Sequence, residues 1–314
     1  MKILVTGSCG YKGSVLVPRL LSEGHEIISI DNEWFGKKLP EHVNLIHYRV
    51  DIRSLPTNYL NGVDTIIHLA NIANDPAVDL NPSLSWEVNV LATQQLAEKA
   101  IKSDVSHFIY ASSGSVYGIK KEEKVTEDLE LMPISIYNKT KMVAERVLLS
   151  YTDKMKIHCV RPATVCGISP RMRLDVAVNM LTYQALSRGE ITVLGGKQIR
   201  PNIHVDDIAC LYIHLIDNSK RIDNGCFNAG FENISIHEIA KLIASKVDCN
   251  ILLKESNDPR SYKQDSKKIL ETGFVPKKSV STAIDEIIKE YKNGSLIESE
   301  SCYNVKWMKL KKLS

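Results

Sequence analysis

Three glycines at fixed spacing stand between the first predicted strand and the first predicted helix of this chain. The apolar run Lys2–Thr6 leads into Gly7-Ser8-Cys9-Gly10-Tyr11-Lys12-Gly13. Gly7 permits a tight turn, Gly10 leaves room for a pyrophosphate at the backbone, and Gly13 lets the helix pack closely on the sheet. Because a helix N-terminus offers free N–H groups and a favourable dipole to phosphate, this turn indicates a dinucleotide-binding unit.

A carboxylate ends the second predicted strand, 18 residues after Gly13. At this place Asp31 can accept hydrogen bonds from both hydroxyls of an adenosine ribose, and it would repel a 2′-phosphate. The residues that follow, Asn32, Glu33 and Trp34, include no arginine that could bind such a phosphate. The two features together predict NAD, rather than NADP, as the cofactor.

Strand-like and helix-like segments alternate through the first half of the chain. The predicted strands here are Lys2–Thr6, His25–Ile30, Val43–Val50, Thr65–Leu69, Phe108–Ser112 and Lys156–Val160, and the predicted helices are Gly13–Ser22, Ser83–Ile101 and Ile136–Ser150. Such alternation is typical of βαβ units whose parallel sheet is covered on both faces. We therefore predict an α/β fold with a Rossmann-type, doubly wound parallel sheet.

The pattern loosens after about Arg161. The later predicted elements are Ile191–Leu194, Val205–Ile216, Gly225–Ala229, Ile236–Ser245 and Val280–Lys292. We predict an NAD-binding domain over residues 1–165, completed by return segments near 199–230. A smaller, interleaved C-terminal substrate-binding domain is predicted over 166–198 and 231–314.

Composition narrows the function classes. The 314 residues are 44% hydrophobic with a net charge of +3, which excludes disorder as the main state and gives no reason to expect nucleic-acid binding. The seven cysteines include no C-x-x-C pair, and the histidines have no metal-ligand spacing, so neither a disulfide framework nor a metal site is predicted. Without a signal-peptide profile or a long apolar run, we expect a cytoplasmic protein with no membrane contact. The basic tail, Lys306, Lys309, Lys311 and Lys312, is predicted to be a solvated end.

A serine, a tyrosine and a lysine form a candidate catalytic group. Tyr137 and Lys141 are spaced i, i+4, so they share one helix face. An ammonium near a phenol favours the phenolate, which can take a proton from a substrate hydroxyl. Upstream, a strand ends in Ser112-Ser113 and runs into Gly114. Because ligands of open α/β sheets bind at the C-terminal ends of strands, we expect these groups to meet beside the cofactor.

In combination these motifs are highly specific. From Met1 to about Tyr291 the chain resembles extended short-chain dehydrogenases/reductases of the NAD-dependent nucleotide-sugar epimerase/dehydratase family. The motifs that carry the resemblance are the glycine turn, Asp31-Asn32, His68-Leu69-Ala70, Ser112-Ser113 with Val116-Tyr117-Gly118, Tyr137 with Lys141, and His204-Val205-Asp206-Asp207. One departure is Lys12, which stands where the family usually has Ile or Leu.

The resemblance implies roles for individual residues. Tyr137 would be the catalytic base, Ser113 would hydrogen-bond the reacting hydroxyl, and Lys141 would bind the nicotinamide ribose and lower the pKa of Tyr137. Asp51 and Ile52 would flank the adenine, and Asn89 would buttress the strand that bears Ser113. For His68 and His204 we predict a structural role, in which each satisfies backbone groups in the core. The implied cofactor-binding residues are Gly7, Gly10, Tyr11, Lys12, Gly13, Asp31, Asn32, Asp51, Ile52, Leu69, Ala70, Asn71, Asn89, Tyr137 and Lys141.

The substrate side is implied by the same resemblance. Asn179 matches a family asparagine near the nucleotide diphosphate, and two arginines match phosphate-binding positions. One guanidinium group can bind two phosphate oxygens at once. For each arginine, a surface ion pair is an alternative role of almost equal weight. Arg171 and Arg173 could also reach the substrate. The implied substrate-binding residues are Ser113, Ser115, Tyr137, Asn179, Arg200 and Arg260.

The residues after Ser113 bear on the reaction. Family dehydratases and decarboxylases carry acidic residues there, whereas this chain has Gly114 and Ser115. We therefore expect a C4 epimerase of nucleotide-diphosphate sugars that acts through a transient 4-keto sugar. A reductase or dehydratase of the same family and a non-catalytic NAD-binding protein are the alternatives. Family members are commonly homodimers through the helices around 84–101 and 136–150, which implies the same here.

Overall fold

A seven-stranded parallel sheet forms the centre of the computed structural model, which describes residues 1–255 and 261–313. The strands in the described residues are β1 (Lys2–Thr6), β2 (Glu26–Asp31), β3 (Leu45–Arg49), β4 (Thr65–His68), β5 (His107–Ala111), β6 (Lys156–Pro162), β7 (Thr164–Cys166), β8 (Glu190–Leu194), β9 (Ile199–His204), β10 (Gly225–Ala229), β11 (Glu232–Ser235) and β12 (Asn250–Lys254). The central order is β3-β2-β1-β4-β5-β6-β10. It confirms the predicted doubly wound sheet, and the order reverses between β1 and β4, where such sheets bind ligands.

The helices follow the predicted pattern closely in the first half. They are α1 (Gly13–Ser22), α2 (Asp75–Val78), α3 (Pro82–Trp86), α4 (Ala92–Lys102), α5 (Ile136–Leu149), α6 (Ala177–Arg188), α7 (Val205–Asp217), α8 (Ile236–Ala244), α9 (Lys267–Leu270), α10 (Val280–Lys292) and α11 (Asn304–Lys311). The single helix predicted over Ser83–Ile101 is α3, a π-helical turn over Glu87–Leu91 and α4 in succession. Such π turns often mark functional sites, and this one carries Asn89.

Two cores cover the two faces of the sheet. Ile3 and Val5 point into the core that contains α1 and α7, whereas Leu4 between them packs into the core under α4 and α5. This alternation along β1 follows from the two-residue period of a strand that is buried on both sides. Each such fully buried aliphatic side chain contributes roughly 1.5–3 kcal/mol to folding.

A third core lies in the smaller C-terminal part. It joins α6, α8 and α10 to the parallel pair β8 and β12. Within the predicted return segments, β10 completes the central sheet, but β9 pairs instead with β7 and β11 in a separate three-stranded sheet. The predicted domain boundaries stay a prediction.

The C-terminal tail differs from the prediction of a solvated end. Residues 304–311 form α11, and Met308 is buried in the core under α4 and α5. The four lysines named above remain exposed to solvent, although the segment that carries them packs against the protein. Across the described residues as a whole, no helix is both long and apolar enough to cross a membrane.

Candidate active site

A cavity of about 510 Å³ runs along the C-terminal ends of the central strands. Residues that follow β1 through β6 line it in turn, so the parallel topology gathers segments that are far apart in sequence. The predicted site residues on its wall are Gly7, Gly10, Tyr11, Lys12, Gly13, Asp31, Asn32, Asp51, Ile52, Leu69, Ala70, Asn71, Ser113, Ser115, Tyr137 and Arg200.

The glycine turn is shaped by two close backbone approaches. Gly7 has a φ of +67°, and a Cβ there would lie 2.5 Å from the backbone nitrogen of Ala70. A Cβ on Gly13 would lie 2.5 Å from the carbonyl oxygens of Gly7 and Ser8. Larger residues would therefore separate β1 from the loop after β4, or lift α1 off the turn. Because Gly13 is both the first residue of α1 and part of the cavity wall, the positive end of the helix dipole faces the cavity and favours an anion there.

Asp31 ends β2 on the cavity wall. Its Oδ2 accepts a hydrogen bond of 2.9 Å from the Cys9 N–H, and its Oδ1 accepts one of 2.7 Å from the Glu33 N–H. Burial raises the pKa of Asp31 above its ordinary value, while these two N–H donors act in the opposite direction. Each carboxylate oxygen has a second lone pair, so both can still accept a hydroxyl.

Ser113 and Tyr137 meet on the cavity wall, and Lys141 lies behind them. The Ser113 hydroxyl is close enough to Tyr137 to lower the pKa of the phenol, and it lies 2.7 Å from the Ser115 hydroxyl. The buried Lys141 Nζ donates to the Ala111 carbonyl at 2.6 Å and lies 6.0 Å from the centre of the Tyr137 ring. Lys141 is not among the cavity-lining residues, in contrast to the other two.

The pKa of Tyr137 is set mainly by its burial. Burial, with a smaller contribution from Asp75, raises the pKa of Tyr137 to about 12, although Ser113 and Arg173 act to lower it. Lys141 is not among the causes of this shift, and its Nζ donates to the Ala111 carbonyl, so its predicted effect on the pKa of Tyr137 stays a prediction. Burial, followed by the charge of Lys12, lowers the pKa of Lys141 well below its ordinary value. Tyr137 is therefore a neutral phenol when no further positive charge is nearby.

Two predicted asparagines lie behind the cavity. The Asn89 amide bonds both backbone groups of Ile72 and the Thr140 hydroxyl, so it supports the loop after β4 and helix α5, rather than the strand that bears Ser113. Asn179 is fully buried, and its amide bonds Gly167, Tyr11 and the Arg173 carbonyl. Its predicted substrate contact stays a prediction, which would require some of these bonds to be given up.

The two motif histidines are buried, and their partners differ in part from those predicted. His68 is held between the hydroxyls of Thr6 at 2.6 Å and Thr93 at 2.9 Å, rather than by backbone groups. Burial, and then the charge of Lys141, lowers the pKa of His68 to about 3. The Nδ1 atom of His204 accepts the Asp206 N–H and so caps α7, which is the expected kind of backbone contact.

Basic residues also line the cavity. Burial, and then the charge of Arg173, lowers the pKa of Lys12 to about 8. Arg173 itself pairs with Asp175 at 2.8 Å. Arg200 is also on the wall, whereas Arg260 lies outside the described residues. In the part of the chain that the structure describes, no cluster of His, Cys, Asp and Glu could hold a metal ion.

Several lining residues were not predicted as site residues from the sequence. They lie on segments that only the fold brings together, and no spacing in the sequence indicates them. These residues include Trp34, Phe35, Asn74, Asp75, Thr164, Asp175, Tyr262 and Asn304.

Comparisons with known proteins agree with this geometry. A model of the NAD dependent epimerase/dehydratase family matches residues 3–230. An uncharacterized UDP-glucose epimerase, YtcB, of Bacillus subtilis (strain 168) is 32% identical over 263 residues, which cover 77% of this chain and 81% of that protein. UDP-glucuronic acid decarboxylase 1 of Arabidopsis thaliana is 29% identical over 321 residues, which cover 96% of this chain and 72% of that protein.

A solved structure shows the same likeness in three dimensions. The UDP-glucuronic acid 4-epimerase from Bacillus cereus, crystallised with UDP-glucuronic acid and NAD, superposes with a TM-score of 0.81 at 28% sequence identity. The match covers 93% of this chain and 100% of that one.

Proposed function

Because this chain belongs to the NAD dependent epimerase/dehydratase family, we propose that it is an NAD-dependent UDP-sugar 4-epimerase. One observation carries the proposal. Tyr137 and Ser113 stand together on the wall of the cavity that begins at Asp31, and the residues after Ser113 are Gly114 and Ser115, without a carboxylate.

The residues fit NAD at one end of the cavity. Asp31 offers both oxygens to ribose hydroxyls, and the turn at Gly7 and Gly13 leaves no space for side chains beneath a pyrophosphate. When bound there, NAD would supply the acceptor and donor of the hydride that leaves and rejoins the sugar. Tyr137 and Ser113 lie beyond this end, where they can contact a sugar.

Tyr137 carries the proton in the proposed reaction. Its phenolic oxygen takes the proton of the sugar C4 hydroxyl. The Ser113 hydroxyl hydrogen-bonds the oxygen of that C4 hydroxyl. A tyrosine whose pKa is about 12 holds its own proton at neutral pH, so base catalysis requires an added positive charge beside the phenol. Burial makes such a charge more effective, because its field is weakly screened.

The uncharged residues that follow Ser113 favour epimerisation over elimination. Among the described residues, Asp75 is the cavity-lining carboxylate that acts on Tyr137, and it accepts a hydrogen bond from the Ser135 hydroxyl at the start of α5. With Gly114 and Ser115 in place of acids, hydride return is the main fate open to the 4-keto sugar. If the sugar turns over within the cavity, the hydride returns to its other face and the C4 epimer results.

A panel of substrates tests this function. Purified protein with NAD, and in parallel with NADH, is incubated with UDP-glucose, UDP-galactose, UDP-glucuronic acid and UDP-galacturonic acid, and products are identified by NMR. The proposal predicts interconversion of at least one pair of C4 epimers without net consumption of NADH. Accumulated 4-keto sugar or released CO₂ would show a dehydratase or decarboxylase instead. Net oxidation of NADH would show a reductase, and binding of NAD with no turnover would show a binding protein.

We further propose that the protein is a cytoplasmic homodimer. All seven cysteines are free thiols, which suits a reducing compartment. The π turn beside α5 exposes Leu91 at 52% of its surface, on the helices through which the resemblance implies pairing. Light scattering would give a dimer mass for the native protein and a lower mass for Leu91→Glu. A monomeric native protein at working concentration would contradict this assembly.

A further inference from the structure

Arg171 is a buried arginine that lacks an acidic partner among the described residues. Its side chain is 5% exposed, and the nearby carboxylate of Asp175 is paired with Arg173 instead. Its Nη2 donates to Asn304 Oδ1 at 2.6 Å, while its fully buried Nε has no hydrogen-bond partner in the described part of the chain. Because a buried, unpaired charge is costly, this guanidinium is suited to an anion that binds beside it.

The surroundings of Arg171 identify where that anion would lie. Its guanidinium carbon lies 3.8 Å from the centre of the ring of Phe35, a residue that follows Asp31 closely in the chain. Arg171 also lines the cavity described above. The Arg171 N–H approaches the Ser14 hydroxyl at 3.4 Å, and the Ser169 hydroxyl donates to the Tyr11 carbonyl at 2.7 Å. The loop that carries Arg171 therefore rests on the first turn of α1, where a pyrophosphate is expected.

Residues 302 and 304 tie the C-terminal segment to the loop of Arg171. The Asn304 N–H donates to Asp175 Oδ2 at 2.9 Å. The Leu174 N–H donates to the Cys302 carbonyl, also at 2.9 Å. Together with the bond between the Asn304 side chain and Arg171, these contacts fix the loop and the guanidinium to the same short segment.

Helix α11 follows that segment and contacts the loop after β2, on the other side of the cofactor end of the cavity. The Trp307 indole N–H donates to the Trp34 carbonyl in the loop after β2. Asn304, at the start of the helix, lies on the cavity wall. The C-terminal segment therefore bridges the two loops that flank the cofactor end of the cavity.

We propose that Arg171 binds the pyrophosphate of NAD through its Nη N–H donors, and that Asn304 is the positioning residue that holds the guanidinium in place. The C-terminal helix is thereby part of the cofactor site. Guanidinium groups suit this task because their N–H groups match pairs of phosphate oxygens. The proposal rests on NAD as the cofactor of the proposed function, but not on the reaction that follows.

Binding of NAD to the cofactor-stripped protein tests the role of Arg171. Arg171→Gln should raise the Kd for NAD, measured by calorimetry, by about 10- to 100-fold, since a charge-assisted hydrogen bond is lost. Arg171→Lys should restore part of the affinity. Arg188→Gln, the same change at an exposed arginine at the end of α6, is the matched control and should leave the Kd unchanged.

Two further ligands separate a phosphate contact from other roles. Adenosine lacks the pyrophosphate, so its affinity should be the same in Arg171→Gln as in the native protein. UDP carries the diphosphate of the substrate, and its affinity should also be unchanged. The proposal is overturned if NAD affinity is unchanged, if adenosine weakens as much as NAD, or if UDP weakens in place of NAD.

Asn304→Ala gives an independent test if Arg171→Gln does not fold. It should weaken NAD binding and accelerate NADH release, followed by NADH fluorescence, whereas Lys309→Ala on the exposed side of α11 should do neither. Unchanged NAD binding in a folded Asn304→Ala protein would overturn the positioning role. A protein that binds NAD as expected but epimerises no sugar would contradict the proposed function and leave this inference standing.

Discussion

At Tyr137, burial outweighs the neighbouring groups that would lower the pKa of the phenol. Burial raises the pKa of the phenol to about 12, and Ser113 and the charge of Arg173 offset this rise only in part. Lys141 Nζ donates to the Ala111 carbonyl and lies 6.0 Å from the centre of the Tyr137 ring. The phenol should therefore respond strongly to a cation placed beside it.

Removal of the Tyr137 hydroxyl tests its role as the proton carrier. Tyr137→Phe should lower kcat by about 10²- to 10⁴-fold, the usual contribution of a positioned acid or base, while NAD binding stays near native. Tyr151→Phe is the control, because the Tyr151 hydroxyl is 3.5 Å from Glu98 and is not on the cavity wall. Steady-state rates with the substrate found in the panel give the comparison, and native activity in Tyr137→Phe would refute the assignment.

Alanine substitutions at Gly7 and Gly24 distinguish the effect of backbone strain from the effect of close packing. Both have positive φ, but a Cβ would meet the Ala70 backbone only at Gly7, and nothing lies within 4 Å at Gly24. Gly24→Ala should cost about 1 kcal/mol of unfolding free energy from strain alone. Gly7→Ala should cost more and should also abolish NAD binding. Urea unfolding and calorimetry measure both effects, and equal losses in the two variants would contradict the close approach.

At the level of elements, helix α5 is held in place by its N-cap residue. Ser135 caps the helix by accepting the Asn138 N–H, and its hydroxyl donates to Asp75 across the cavity edge. The cap therefore fixes both the start of α5 and the orientation of Tyr137 in its first turn. The cap of α10, Ser279, bonds the Thr282 N–H in the same way but stands away from the cavity.

These two caps give a matched pair of variants. Ser135→Ala and Ser279→Ala should each lower the unfolding free energy by about 1 kcal/mol, as the loss of an N-cap does. Only Ser135→Ala should also lower kcat, because only that cap orients a catalytic helix. Chemical denaturation and steady-state kinetics distinguish the two, and an equal effect on kcat would argue against positioning by Ser135.

The elements that could be predicted are those with strong local patterns. Four elements have the predicted bounds, because buried apolar runs or amphipathic stripes mark them in the sequence. They are Lys2–Thr6, Gly13–Ser22, Gly225–Ala229 and Val280–Lys292. Helix α6 was not predicted, and no side chain caps its start at Val176. The short strands of the three-stranded sheet depend on partners from distant segments, which periodicity cannot show.

The candidate site was predictable where motifs bear its chemistry. The glycine turn, Asp31, Ser113 and Tyr137 do lie on one cavity. The contact of Asn89 with Ile72 and the docking of α11 could not be read from the sequence, because they depend on how loops meet. The direction in which Lys141 donates was equally hidden, since spacing fixes a helix face but not a hydrogen-bond partner.

For the molecule as a whole, the sheet buries histidines in neutral form. Burial is the main cause that lowers the pKa of His68 and His107 to about 3, and that of His158 to about 4. His107 and His158 face each other across β5 and β6 with ring nitrogens 3.0 Å apart. Charging any of them would place an ion in a dry interior, so the folded state resists protonation.

The stability of the whole protein should therefore fall in mild acid. Below the ordinary histidine pKa of about 6.5, these histidines are protonated in the unfolded chain but not in the folded chain. The free energy of unfolding therefore decreases as pH falls. Each of these histidines would contribute a loss of about 2 kcal/mol between pH 6.5 and pH 5 at most. Urea unfolding at a series of pH values measures the slope, and a free energy independent of pH across this range would contradict the burial of neutral histidines.

The central claim is that a hydride leaves sugar C4 and returns to the same carbon. The most direct measurement uses the UDP-sugar found in the substrate panel, labelled with deuterium at C4, with products read by NMR and mass spectrometry. The account predicts that the C4 epimer retains its deuterium and that no hydrogen from water enters this position. Loss of the deuterium to solvent, or its appearance at another carbon of the sugar, would contradict it.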